Sequence, residues 1–96
     1  MVKNEYKEKI VKLISQYFPK AKIVLFGSRA TGEHSPSSDI DVSINLGTIA
    51  DEEKMAEIRL SIDDLNIPLD IDVLDYHAVP EAIQKRINQE QVIWKN

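Results

Sequence analysis

Residues 26–44 read "FGSRATGEHSPSSDIDVSI", and the alternation at their end decides the fold. In residues 39–46, Ile40, Val42, Ile44 and Leu46 occupy one face of a strand, while Asp39, Asp41, Ser43 and Asn45 occupy the other. One face goes to a core and the other carries acid, although Asp is among the residues least favoured in strands. Just upstream, "AKIVLFGS", residues 21–28, reads as an apolar run forming a buried strand, and Gly27 ends it in a tight turn. Between turn and acids lies a polar loop over residues 32–38, with Pro36 and three serines.

Working outward, Tyr6, Ile10, Leu13, Ile14 and Tyr17 recur at helical spacing, which predicts an amphipathic helix over residues 3–18 closed by Pro19. A second helix is expected over residues 51–65. It has acids in its first turn, a stripe of Met55, Ile58, Ile62 and Leu65, and a stop at Asn66 and Pro68. "PLDIDVLDY", residues 68–76, predicts a third strand in which Leu69, Ile71 and Val73 alternate with Asp70 and Asp72. Pro80 is placed to start a last helix with Val79, Ile83 and Ile87 as its stripe, followed by the short apolar end "VIW". The order helix, strand, strand, helix, strand, helix predicts an α+β fold, a small mixed β-sheet packed with helices, in one domain over residues 1–96. Strand directions are not readable from the pattern.

Ninety-six residues leave room for one core and no dedicated second domain, so a large substrate pocket would be shallow or shared. A chain 43% hydrophobic and 29% charged suits a folded soluble domain. Lys+Arg 12 against Asp+Glu 16 gives a net charge of -4, which argues against nucleic acid as a direct partner. The absence of cysteine excludes disulfides and thiolate metal sites, leaving a hard metal on carboxylates as the metal chemistry to consider. No stretch is apolar enough to span a bilayer, and "MVKNEYKEKI" is charged where a signal peptide would be apolar, so the expected location is cytoplasmic.

Asp39 and Asp41, separated by one strand residue, sit roughly 7 Å apart along the backbone and project the same way. Like charges held so near repel, and a divalent ion is their natural compensation. Oxygen-only ligation points to Mg²⁺ or Mn²⁺, which keep some waters and take further ligands from substrate phosphates. A lone Asp-x-Asp is ordinarily a solvated strand edge, but three additions strengthen the metal reading. Gly27 and Ser28 form a turn where backbone N–H groups and a hydroxyl can meet a phosphate. Arg29 adjoins it as a candidate phosphate ligand. A third strand then supplies Asp72, with Asp70 beside it; the two share strand parity, so either fits as a third ligand by geometry alone.

"GSRATG", the polar loop, "SDIDVSI" and the later "IDVLD" resemble the Gly-Ser, Asp-x-Asp and third-Asp signature of the DNA polymerase beta-like nucleotidyltransferase superfamily. The short length resembles its minimal nucleotidyltransferase branch. The resemblance selects Asp72 over Asp70 and implies that Asp39, Asp41 and Asp72 are catalytic and bind two Mg²⁺ ions. It further implies that Gly27 and Ser28 hold the terminal phosphates of an NTP. It implies transfer of NMP, AMP from ATP, to a hydroxyl of a partner protein. In that branch the partner is a helical protein of the HEPN type, often an RNase toxin that the enzyme silences as antitoxin, in a hetero-oligomer. Two other functions compete: a non-catalytic antitoxin that occludes its toxin, and a transferase acting on a small molecule or RNA.

Other residues receive plainer roles. His34 is expected as a solvated loop residue, His77 as a turn residue and Asp75 as a solvated strand end. Tyr6, Tyr17 and Phe18 are core candidates. Trp94 either packs on the sheet or anchors a partner.

Overall fold

A computed structural model describes residues 2–96. The first helix, α1 (Asn4–Tyr17), buries Ile10, Leu13 and Ile14. It is followed by β1 (Lys22–Phe26), the short α2 (Ser28–Thr31), β2 (Ile40–Asn45), α3 (Glu52–Ile62) with a 3-10 turn at Asp63–Leu65, β3 (Ile71–Asp75), α4 (Glu81–Glu90) and β4 (Val92–Lys95). The expected α+β order holds, with α2 and β4 added. The "VIW" end forms the fourth strand, and there Trp94 packs against the main core.

The sheet runs β3-β2-β1-β4. β1 pairs antiparallel with both β2 and β4, and β2 pairs parallel with β3. A parallel pair needs a crossover, and α3 supplies it. Its N-cap is Asp51, whose Oδ1 accepts from Lys54 N–H at 3.1 Å, so the acid expected in the first turn caps the helix. Arg59 on α3 donates from Nε and Nη2 to the Val73 carbonyl, at 3.3 and 3.1 Å, so part of the open edge of β3 is covered.

Strand alternation sorts side chains into two layers. Ile23, Leu25, Ile40, Val42, Ile44 and Val73 meet Ile10, Ile14, Met55 and Ile58 of α1 and α3 in the main core. Each such fully buried side chain contributes about 1.5–3 kcal/mol. Val24 and Phe26 face the other way and pack on Ile87 of α4, with Leu74, Tyr76, Val79 and Ile83 around them. β1 is thus apolar throughout because it is covered on both faces. The acid-bearing face is therefore not wholly open, as its alternation suggested: α4 covers its central part and leaves the acids near its rim.

Candidate active site

The parallel register sets Asp41 directly opposite Asp72, and the antiparallel register sets Phe26 opposite Asp41. Phe26, Asp41 and Asp72 therefore form one row across three strands, on the face that α4 covers. Adjacent strands lie about 4.8 Å apart, which brings the two aspartates closer through the register than a spacing of two along one strand could. Asp39 stands just before β2 and is exposed. Asp70 lies just before β3, where its carbonyl accepts from Ile40 N–H at 2.9 Å.

The Asp39, Asp41 and Asp72 carboxylates have no hydrogen-bond or ion-pair partner among the described residues. Partial burial first, then the Asp72 and Asp39 charges, push the Asp41 carboxyl above its ordinary value; Arg86 opposes this and Glu90 adds to it. An unpartnered set of hard oxygen donors fits a divalent cation. Among the described residues, however, no three His, Asp or Glu side chains are gathered closely enough to hold a metal ion. Like charges with no cation between them have no cause to converge.

Gly27 follows β1 with φ 78° and ψ -163°, and a side chain there would collide with the Asp41 carboxylate. The turn and the acid row are thus in contact because residue 27 lacks a Cβ. Ser28 opens α2, and its hydroxyl has no partner among the described residues. Gly27 N–H is engaged: it donates to Glu90 Oε1 at 3.0 Å.

Arg29 departs from the expectation of a phosphate ligand. It is 7% exposed, and its guanidinium donates to the Ser38 carbonyl at 2.9 Å and the Pro36 carbonyl at 3.2 Å. A buried guanidinium needs acceptors, and the polar loop supplies them. Arg29 therefore fixes the path of the chain from the turn to Asp39. Asp75 also departs from its expected role as a solvated strand end. It is 6% exposed and accepts from Ala50 N–H at 2.8 Å and His77 N–H at 3.1 Å. His77 lies in a turn, as expected, with Nε2 2.9 Å from Asn45 Oδ1.

Two residues near the acid row, Arg86 and Glu90, were not singled out in the sequence. Their spacing of four on a helix marks them as a pair, joined Nε to Oε1 at 3.1 Å, but nothing local ties them to the Gly27 turn 63 residues away. Two cavities, of about 660 and 600 Å³, lie between the polar loop and the segment leading into β3. Pro36, Pro68 and Leu69 line both, and none of Asp39, Asp41 and Asp72 does.

Comparison with known proteins gives a consistent result. A protein of Methanocaldococcus jannaschii named "Putative protein adenylyltransferase MJ0435" is 27% identical over 89 residues, covering 93% of this chain and 94% of its own. A chain from the crystal structure of a toxin-antitoxin with AMP-PNP superposes with a TM-score of 0.76 at 25% identity, covering 95% of this chain and 72% of that one. A chain from the complex of tri-AMPylated Shewanella oneidensis HEPN toxin with MNT antitoxin shares the fold, with a TM-score of 0.71 at 21% identity, covering 93% and 68%. The profile of the family described as "Polymerase beta, Nucleotidyltransferase" matches residues 8–96, and this chain belongs to that nucleotidyltransferase family.

Proposed function

We propose that this chain transfers AMP from ATP to a hydroxyl of a partner protein, a helical HEPN-type RNase toxin, and acts as its antitoxin in the cytoplasm. The observation that carries the reading is the acid row: Asp41 opposite Asp72 across parallel strands, beside a glycine that admits no side chain. The adenylyltransferase name of a relative that spans nearly the same length, and a toxin-antitoxin neighbour with AMP-PNP, support the nucleotide and the partner.

In this mechanism Asp39, Asp41 and Asp72 are the residues that would hold two Mg²⁺ ions, with Mn²⁺ as a substitute. When bound, these ions supply charge neutralisation and alignment for in-line displacement. Gly27 and Ser28 receive the terminal phosphates through backbone N–H groups and the free hydroxyl. The partner's hydroxyl oxygen bonds to the α-phosphorus as the bond to pyrophosphate breaks. Asp72, one strand out from Asp41, is the carboxylate placed to take the hydroxyl proton. Arg29 holds the loop that delivers Asp39. The acceptor hydroxyl is supplied from outside the chain, by the partner.

The test is transfer of label from α-labelled ATP to a co-purified partner. Asp41→Asn, which keeps the side chain's shape, should abolish it, and full retained transfer would refute the mechanism. In a second reading the module neutralises its toxin by occlusion, without turnover. In that case folded Asp41→Asn protein still protects cells from the co-expressed toxin. A transferase acting on a small molecule or RNA would instead label that acceptor without any partner protein.

A further inference from the structure

The last helix brings a cation and an anion to the acid row for which the mechanism above has no use. Glu90 Oε1 accepts from Gly27 N–H at 3.0 Å and from Arg86 Nε at 3.1 Å. One carboxylate thus bridges a backbone donor at the Gly-Ser turn and a guanidinium from another element. Arg86 lies over Phe26, its guanidinium carbon 5.9 Å from the ring centroid, and Phe26 is the cross-strand neighbour of Asp41. The two terminal nitrogens of Arg86 have no hydrogen-bond partner among the described residues, and its side chain is 52% exposed. Two donors from separate elements already converge on one anion, with further donor capacity unused.

We propose that Arg86 is a ligand for the terminal phosphates of the nucleoside triphosphate, acting with Gly27 N–H, and that the Glu90 carboxylate occupies their shared position in the nucleotide-free protein. This inference rests on the reading of the chain as an NTP-using transferase. A phosphate oxygen and a carboxylate oxygen accept from the same donors, and the planar guanidinium fork suits a phosphate bidentately. The acids of the row can only repel a polyphosphate directly, so a protein cation on the turn side of Asp41 offsets charge where those acids do not hold metal. An incoming phosphate then displaces Glu90 from both donors.

The experiment is calorimetric titration of the full chain with ATP and, separately, AMP, both in Mg²⁺, after circular dichroism has shown that each variant is folded. Arg86→Ala is expected to weaken ATP binding roughly tenfold or more, the worth of a charged hydrogen bond, and to leave AMP binding within about twofold. Arg86→Lys, which keeps the charge and loses the fork, should recover part of the loss. Glu90→Gln, which keeps an acceptor and loses the competing charge, should bind ATP several-fold more tightly, in keeping with the modest strength of half-exposed ion pairs. ATP affinity of Arg86→Ala within about twofold of the parent, or equal losses for ATP and AMP, would overturn the inference, as would ATP binding unchanged or weakened in Glu90→Gln. If the parent binds no ATP with Mg²⁺, alone or with its partner, the transferase reading fails and takes this inference with it. Tight parental binding indifferent to Arg86 overturns this inference alone.

Discussion

Gly27→Ala tests the contact between turn and acids most directly. At φ 78° and ψ -163°, residue 27 lies in a region almost reserved for glycine, where an L-residue costs about 1–3 kcal/mol. The new Cβ would also overlap Asp41 Oδ2 and come within 3.3 Å of Asp41 Cγ. Relieving such an overlap costs about 1–3 kcal/mol, and the low end applies because a side chain can rotate away. The sum is about 2–4 kcal/mol, a large share of the roughly 5–15 kcal/mol that holds a domain of this size together. At about 4–8 °C per kcal/mol, thermal unfolding should fall by roughly 8–32 °C. The rotation that relieves the overlap also removes the Asp41 carboxylate from its row, so label transfer in the folded fraction should drop by about 100-fold. Gly32→Ala is the matched control. Its φ is 85°, but nothing lies within 4 Å of its added Cβ, so it should cost about 1–2 kcal/mol in strain and leave transfer unchanged. Equal unfolding temperatures for the two variants, with parental transfer in Gly27→Ala, would refute the packing of turn against acid.

Asp41 also governs how stability depends on pH. Its carboxyl is pushed up in the folded protein, so the fold keeps a proton that the unfolded chain has already lost. The resulting stability is fully present below the ordinary value of 3.8 and is lost as pH rises through the raised folded value. In EDTA, thermal melts should therefore show Asp41→Asn less sensitive to rising pH than the parent and more stable than it at neutral pH; a less stable variant there would contradict the like-charge account. Asp75→Ala removes the buried acceptor of the Ala50 and His77 N–H groups and should cost roughly 2–4 kcal/mol in urea unfolding. A change below about 0.5 kcal/mol would show that those N–H groups find other partners.

The parts of this fold that were legible in the sequence are those fixed by local period. Ile40, Val42 and Ile44 against Asp41 and Ser43 show a strand with one acid-bearing face, and Met55, Ile58 and Ile62 show a helix stripe. Strand direction was not legible, because parity is the same for a parallel and an antiparallel neighbour. Yet the parallel register is what sets Asp72, not Asp70, opposite Asp41. Residues whose partners are set by how the chain folds back, and not by local period, take roles that the sequence does not show. Arg29 looked like a phosphate ligand because charge beside a Gly-Ser turn is all the sequence shows, and the carbonyls that occupy it appear only once the loop folds back. Asp75 looked solvated because its acceptor role depends on Ala50, 25 residues earlier.

The same logic bears on the site. Acids on one strand face announce themselves by spacing, since their mutual repulsion is unusual enough to be noticed. The groups proposed for the phosphates do not, because backbone N–H is invisible in sequence and Arg86 is an ordinary helix-surface residue until α4 packs across Val24 and Phe26. A site built on a sheet rim can thus be half legible: the acids by parity, the remaining groups only by topology. The neighbours of the acid row come from two segments far apart in the chain, Gly27 from the turn after β1 and the Arg86–Glu90 pair from α4. Asp72 lies on β3, the outermost strand of the sheet, so the acid row reaches the sheet's edge.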